Sequence, residues 1–197
     1  MAQDAFRIAM RRVATTVSVL STRRGDQRFG LTVSSVMSLS MDPPTLCFGV
    51  YGHSSFRAPL VDAGWACVNV LTREQEAVGR AFSALPNGEP RFAIGIWADC
   101  EAGTDRAGDR PVHLPCLVGA QANLVCRLGR VIVHGTHVLC LAEVRHVRVS
   151  QKIAPLLYCD GGYRNLAEAG AIVELVSTPA PARPSEGWIA GPSPSVI

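Results

Sequence analysis

The 197-residue chain is poor in lysine, aromatics and long apolar runs, and each shortage removes a class of function. Of its nineteen basic residues only Lys152 is lysine, and the net charge of +3 is scattered, with Arg11-Arg12 and Arg23-Arg24 as the basic doublets. With aromatics at 6%, no basic stripe interleaved with rings is present, so a nucleic-acid partner is not expected. No run approaches the ~18 uncharged apolar residues of a membrane span. No apolar signal core follows the N-terminal basic residues, which leads us to expect a cytoplasmic protein. The seven cysteines, at 47, 67, 100, 116, 126, 140 and 159, form no C-x-x-C pair. An odd set without metal spacing reads as reduced thiols, with Cys67, Cys126 and Cys140 inside apolar strand patterns. His134 and His137, three apart, are expected on opposite faces of a strand, so no metal site is expected. There is no G-x-G-x-x-G after a strand, no P-loop, no G-x-S-x-G and no internal repeat.

What is present is a strand with an uncharged polar side. From Gly30 to Met41, Leu31, Val33, Met37, Leu39 and Met41 alternate with Thr32, Ser34, Ser38 and Ser40, and only Ser35-Val36 breaks the phase. A face of small hydroxyls with no charge suits either a ligand rich in acceptors with a flat apolar body, or a Ser/Thr-rich edge strand. The phase break reads as a bulge turning Ser35 toward a ligand.

The rest of the pattern is strands first, two small helices inserted, then strands again. Residues 4–13 predict a helix capped by Asp4, with Phe6, Ala9, Met10 and Val13 on one side. Residues 14–23 predict a strand ending at Arg24-Gly25-Asp26, and Thr45–Tyr51 another after Pro43-Pro44. A short helix follows the 52–55 loop and stops at Gly64. Trp65–Leu71 is a strand interrupted by Asn69. Thr72 and Gln75 form a capping box for a helix that turns Ala77, Val78, Ala81, Phe82 and Leu85 inward. Residues 86–114, broken by Pro and Gly, read as a long functional loop with brief structure near Phe92–Trp97. Two long strands, 116–128 and 136–149, flank a hairpin at 130–135 that includes a short strand piece at 131–133. Leu156–Tyr158 is a last strand, turned at Asp160-Gly162. These elements predict an antiparallel β-barrel with short helices outside, over residues 1–176. A Pro-rich tail, 177–197, is expected to be irregular.

Candidate chemistry is sparse. Ser54 and Ser55 lie near a helix start, either as an anion site or as a cap. Arg91, beside Phe92, is either a phosphate cation or a solvated loop residue. His137 opens the long strand on its polar side, either to orient a substrate ring or as a strand-end residue. Tyr163 can pack on a ring and Arg164 can pair with a phosphate, or both can clamp the barrel. No nucleophile, base and orienter stand together. That absence fits a protein whose cofactor supplies the chemistry.

The order and spacing of several short motifs resemble the flavin reductase-like family, which has the FMN-binding split barrel and includes the reductase components of two-component flavin monooxygenases. The matching pieces are Phe6-Arg7-x-x-Met10-Arg11-Arg12-Val13-Ala14-Thr15, Gly30–Ser35 with Ser38, Ser40 and Asp42-Pro43-Pro44, then Ser54-Ser55, Val68–Leu71 and Arg91-Phe92. Gly135-Thr136-His137, Pro155–Tyr158 and Gly162-Tyr163-Arg164 complete the set, which spans roughly residues 4–166. The resemblance implies an antiparallel split β-barrel, FMN or FAD as flavin, and NADH or NADPH as donor. It implies a homodimer with the flavin near the subunit boundary and a monooxygenase partner. Thr32, Val33, Ser34 and Ser35 would meet the ring and ribityl chain, with Ser40 nearby. The Cys47, Phe48 and Gly49 backbone would edge the flavin. Ser54 and Ser55 would hold the phosphate, with Phe56, Asn69, Arg91 and Phe92 also at the cofactor. His137 would face the nicotinamide, and Tyr163 and Arg164 would close the site. The pattern departs at Gly52-His53, Pro90, Thr136 and Cys159, which implies a less cationic phosphate end. A non-catalytic flavin carrier on the same barrel, or a barrel holding pyridoxal phosphate or haem, are the alternatives; a flavin band near ~450 nm and NAD(P)H turnover separate them.

Overall fold

In a computed structural model, the described residues are 2–84, 89–105, 108 and 110–166. In chain order the strands are β1 (Thr15–Thr16), β2 (Ser18–Arg24), β3 (Gln27–Val33), β4 (Met37–Met41), β5 (Pro44–Tyr51), β6 (Trp65–Val70), β7 (Trp97–Thr104), β8 (Pro111–Leu117), β9 (Ala122–His134), β10 (His137–Val149), β11 (Leu156–Cys159) and β12 (Gly162–Asn165). The helices are α1 (Ala2–Met10), α2 (Arg57–Ala63), α3 (Glu76–Ala84) and α4 (Glu89–Phe92). The tail boundary at 176/177 lies outside the described residues, as does Leu85.

The main sheet is antiparallel, in the order β3-β2-β6-β9-β10-β5-β4. Its two edge strands, β3 and β4, are consecutive in the chain. Ser34, Ser35 and Val36 therefore strap one end of the sheet to the other. The wrapped sheet encloses a core that draws on β2, β3, β5, β6, β9 and β10, and α2 adds Phe56 and Leu60 to it. Phe48 and Phe56 are fully buried there, each stabilising the fold by roughly 1.5–3 kcal/mol. The barrel is closed along this seam by chain rather than by a hydrogen-bonded ladder, which makes it split. The Ser35-Val36 phase break is this crossing and not a bulge; the register shift on β4 falls between Ser38 and Ser40.

A second core joins Val17, Val19 and Leu71 to Val78, Ala81 and Phe82 of α3 and to Phe92. The rings of Phe82, Phe92 and Trp97 meet at centroid distances of 4.9–5.1 Å. Gly30 is required at this contact, because a Cβ there would stand 2.3 Å from Phe82 Cε1. The capping box of Thr72 and Gln75 is present and opens a 3₁₀ turn ahead of α3. Ala77 is exposed rather than turned inward.

Several expectations are corrected. The stretch 86–114 holds α4 and a β7–β8 hairpin, not a long loop. Pro111 and Pro115 hid it, and a two-stranded ribbon tolerates them because only one edge of β8 is paired within it. The hairpin is seated by Trp65, whose Nε1 donates to Thr104 O at 2.9 Å. The β9–β10 turn is only Gly135-Thr136, so His134 and His137 are direct cross-strand partners sharing a face. Asp4 lies within the first turn of α1 and pairs with Arg7. The apolar side of α1 is exposed, Phe6 at 67%.

Candidate functional site

The strap at 34–36 borders one cleft through Ser34, and a second cleft opens beyond the end of β5. Ser35 fixes it to β5: Gly49 N–H donates to Ser35 Oγ at 3.1 Å, and the hydroxyl donates to Gly49 O at 3.2 Å. Ser35 thus holds the backbone of β5 at the seam, and Ser34 beside it is exposed.

The first cleft, of about 530 Å³, is lined by Val17, Thr32, Val33 and Ser34 on one side, and by Arg80, Ser83, Tyr158 and Tyr163 on the other. Thr32 Oγ donates to Gly79 O at 2.7 Å, which docks α3 on β3. Tyr163 lies with its ring 4.8 Å from the Arg80 guanidinium carbon and edge-on to Tyr158 at 5.6 Å. Gly79 leaves room for it, since a Cβ there would be 3.3 Å from the Tyr163 hydroxyl. Burial pushes the Tyr163 phenol up, so it stays protonated in neutral solution. Arg164, exposed, donates to Tyr163 O at 2.9 Å.

The second cleft, of about 390 Å³, lies where β5 runs into α2, around Gly52, His53, Ser54 and Arg57. Ser54 Oγ accepts from Phe56 N–H at 3.2 Å, a turn that presents the loop's backbone. Arg57 donates to Gly52 O at 3.2 Å, and Gly52 N–H donates to Thr136 O at 2.8 Å. The loop is thereby tied to the β9–β10 turn. Tyr51 stands edge-on between His53 and His137, at 5.7 and 5.5 Å. The Nδ1 atom of His137 and the Thr136 hydroxyl are 2.9 Å apart.

Other expected site residues face the interior. Phe48 and Phe56 are in the barrel core, and Phe92 is in the second core. Arg91 is 8% exposed, donates to Gly30 O at 2.6 Å, and burial lowers its pKa. It therefore braces β3 from behind rather than standing in solvent. Asn69 is fully buried and knits four strands. Its Oδ1 accepts from Leu117 N–H and Asn123 Nδ2, both at 2.8 Å, and its Nδ2 donates to Val19 O and Ser21 Oγ, both at 2.9 Å. Ser40 turns onto Asp42, accepting from its N–H at 3.2 Å. Cys47 is buried in β5. Arg57, Arg80 and Ser83 were missed. Arg57 was legible as a cation three residues after Ser54; Arg80 and Ser83 reach the cleft only because α3 packs on β3.

The model of the flavin reductase like domain matches residues 10–167. The chain belongs to the flavin reductase-like family. It is 35% identical to the reductase component of an FADH2-dependent resorcinol hydroxylase from a Rhizobium species, over 84% of this chain and 88% of that one. It is 32% identical to an FMN reductase (NADH) of Methylorubrum populi, over 93% and 84%. Among solved structures, the NADH:FAD oxidoreductase of Streptomyces globisporus superposes with a TM-score of 0.72 at 26% identity, covering 84% of this chain and 94% of that one. The split barrel described above is the fold of these flavin reductases.

The residues present fit a flavin. The first cleft offers Val17 and Val33 to an apolar ring, Ser34 to ring and ribityl oxygens, and no carboxylate among its lining residues. The second offers the Arg57 guanidinium and the Ser54 hydroxyl to a phosphate, and the one carboxylate in its lining, Asp62, is paired with Arg24.

Proposed function

We propose that the chain is an NAD(P)H-dependent flavin reductase that reduces FMN or FAD and supplies the reduced flavin to a partner monooxygenase. The observation that carries this reading is the uncharged seam: hydroxyls of Thr32, Ser34 and Ser35, bordered by Val17 and Val33, with Arg80 as the one charged residue lining the cleft beside it. The names of its relatives support the activity, NADH as donor, and delivery to an oxygenase.

In this reading Thr32, Val33, Ser34 and Ser35 lie along the flavin ring and ribityl chain. The backbone of Cys47, Phe48 and Gly49 forms the edge that Ser35 holds in place. Ser54, Ser55 and Arg57 hold the phosphate. His137, with Tyr51 and His53, receives the nicotinamide, while Tyr163, Arg80 and Arg164 close the first cleft. Asn69, Phe56, Arg91 and Phe92 act from behind, by fixing the strands and helices that carry these groups.

When bound, a flavin would supply the hydride acceptor and a nicotinamide the donor, chemistry that needs no protein nucleophile. The chain's work is placement: rigid hydroxyls and backbone hold one ring, the Tyr51 and His137 pair aligns the other, and Val17 and Val33 keep water from the reacting face. No residue here has to move a proton.

The sheet's outer face supports a homodimer. Met37, Tyr51, Ile132 and Leu139 all face outward on adjacent strands, Met37 at 56% exposure. Such a patch is costly to leave in water, and a second copy covering it brings the flavin seam to the subunit boundary. The reading also places the enzyme in the cytoplasm, among its nicotinamide donors.

Steady-state oxidation of NADH and NADPH with FMN, FAD and riboflavin tests the proposal. Turnover with at least one flavin is expected. Tight flavin retention without turnover makes the chain a carrier, and no flavin binding at all removes the reading.

A further inference from the structure

Away from the seam, three thiols converge under the β7–β8 hairpin. Cys67 on β6, Cys116 on β8 and Cys100 on β7 pack with Trp65, Leu114 and Val125. The sulfurs of Cys116 and Cys67 are 3.5 Å apart. Both strands are held in place beside them. The buried Ser21 hydroxyl lies against both Cys67 O and Pro115 O, and Asn69 Oδ1 accepts from Leu117 N–H at 2.8 Å. The residues flanking Cys116 are therefore anchored on the strand that carries Cys67. Cys116 also borders a cleft of about 310 Å³, shared with Cys100, Asn123, His146 and Arg148. Cys116 is 1% exposed, so only an oxidant small enough to enter this cleft reaches it.

We propose that Cys116 is a peroxide-reactive thiol, and that Cys67 resolves its oxidised form as a Cys67–Cys116 disulfide. The thiolate is the reactive form of cysteine, and the surroundings select which thiol supplies it. Contact with the Cys67 thiol, then with Cys100, and the charge of Arg148 lower the Cys116 pKa against burial and Asp99. Asp99 is itself paired with Arg23. Contact with Cys116 and burial push Cys67 well up, and burial first, then Cys116, pushes Cys100 to about 12. Geometry separates the pair: Cys116 borders the cleft and Cys67, fully buried behind it, does not.

The chemistry balances with hydrogen peroxide as the two-electron oxidant. The Cys116 thiolate attacks one peroxide oxygen and the O–O bond breaks. This leaves a sulfenic acid and a hydroxide that takes a proton to become water. The Cys67 sulfur then attacks the Cys116 sulfur. The S–O bond breaks, and the hydroxyl leaves as a second water with the proton of Cys67. Reaching the bonded distance requires the two sulfurs to close by about 1.5 Å. Reduced flavin released into air generates this oxidant, but the proposal does not depend on the flavin reaction.

The test uses the full-length, flavin-free protein, reduced and freed of reductant. It is treated with stoichiometric hydrogen peroxide, unfolded and alkylated so that the buried thiols are reached, and mapped by mass spectrometry. The expected result is the loss of two alkylatable thiols, recovery of a linked Cys67 and Cys116 peptide pair, and reversal by dithiothreitol. Cys159, half-buried on β11, is the internal control and should remain alkylatable. In Cys67→Ser, Cys116 should stop at a sulfenic acid trapped by dimedone. Arg148→Gln should slow oxidation at Cys116 several-fold and leave the Cys159 rate unchanged. Oxidation that begins at Cys159 or Cys100, or spreads evenly over the thiols, overturns the proposal. If Cys67→Ser does not fold, the wild-type map alone decides between these outcomes.

Discussion

Asn69→Ala separates a residue that builds the site from one that touches its ligand. The wild-type side chain is fully buried and each of its polar atoms is used. Truncation leaves the Leu117 N–H without its acceptor in the interior, which costs about 1–3 kcal/mol. Asn123 keeps a second acceptor, Leu117 O at 3.1 Å, so its amide is not stranded. The void left by the amide adds about 1 kcal/mol. The sum is a loss of about 2–4 kcal/mol, or roughly 5–15 °C in Tm for a domain of this size. Urea unfolding followed by the fluorescence of Trp65 and Trp97 measures it. Flavin Kd, determined below the transition, should stay within about twofold, because Asn69 presents no surface to a ligand. A stable variant whose Kd rises tenfold would refute the structural role and return Asn69 to the binding site.

Arg57→Ala should raise the flavin Kd about tenfold without changing Tm, as expected for one charge-assisted bond to a phosphate; fluorescence titration with FMN and riboflavin should show the loss only for FMN. Replacing Ser54 and Ser55 together with bulky apolar residues should weaken flavin binding by a similar factor in a folded protein, and unchanged affinity would remove the phosphate assignment. His137→Ala should raise the nicotinamide KM more than the flavin KM in steady-state assays. Gly30→Ala should lower stability by about 1–3 kcal/mol through overpacking on Phe82, read by thermal unfolding. Glu74, exposed, is held down to about 2 by its own backbone N–H and by Arg73 and Lys152. Its folded pKa lies below the unfolded value near 4.5, so its stabilisation is present above that pH and is lost as pH falls toward 2. Glu74→Gln should flatten this acid limb, and added salt should shrink the difference.

The parts of the fold that were legible in the sequence are those with local signals. The Gly25 turn, the Thr72 and Gln75 capping box and the Gly64 stop are written in residues a few positions apart, and the structure has all three. The hydroxyl row of Thr32, Ser34, Ser38 and Ser40 is visible in the sequence, with Ser35 as a break in its phase, but the meaning of that break depends on topology. Only the sheet order shows that Ser35 crosses from one edge to the other and grips Gly49. The β7–β8 hairpin escaped because Pro111 and Pro115 read as loop and outweighed the short alternation of Ala98, Cys100 and Ala102 with Asp99, Glu101 and Gly103. Its apolar support comes from Trp65, some thirty residues earlier. Arg91 and Asn69 illustrate the same limit in reverse. A charged residue beside a ring and a polar residue in a strand look like ligand contacts until burial shows that they hold backbone. Arg80 had no local signal, since its place over Tyr163 is set by two distant segments.

The strap across the seam also sets a mechanical limit. Four Cα steps separate Val33 from Met37, so the barrel's two edges cannot part by more than about 14 Å at that point, however loosely the sheet is packed. The gauge of the proposed flavin slot is therefore a property of chain length. One residue inserted at Ser34–Ser35 would widen it and shift the hydroxyl row out of step with β5, and Val36 is the one strap residue that packs on the barrel core. Tolerance to change should thus be lowest not where the protein is most deeply packed, but in three residues that solvent can reach.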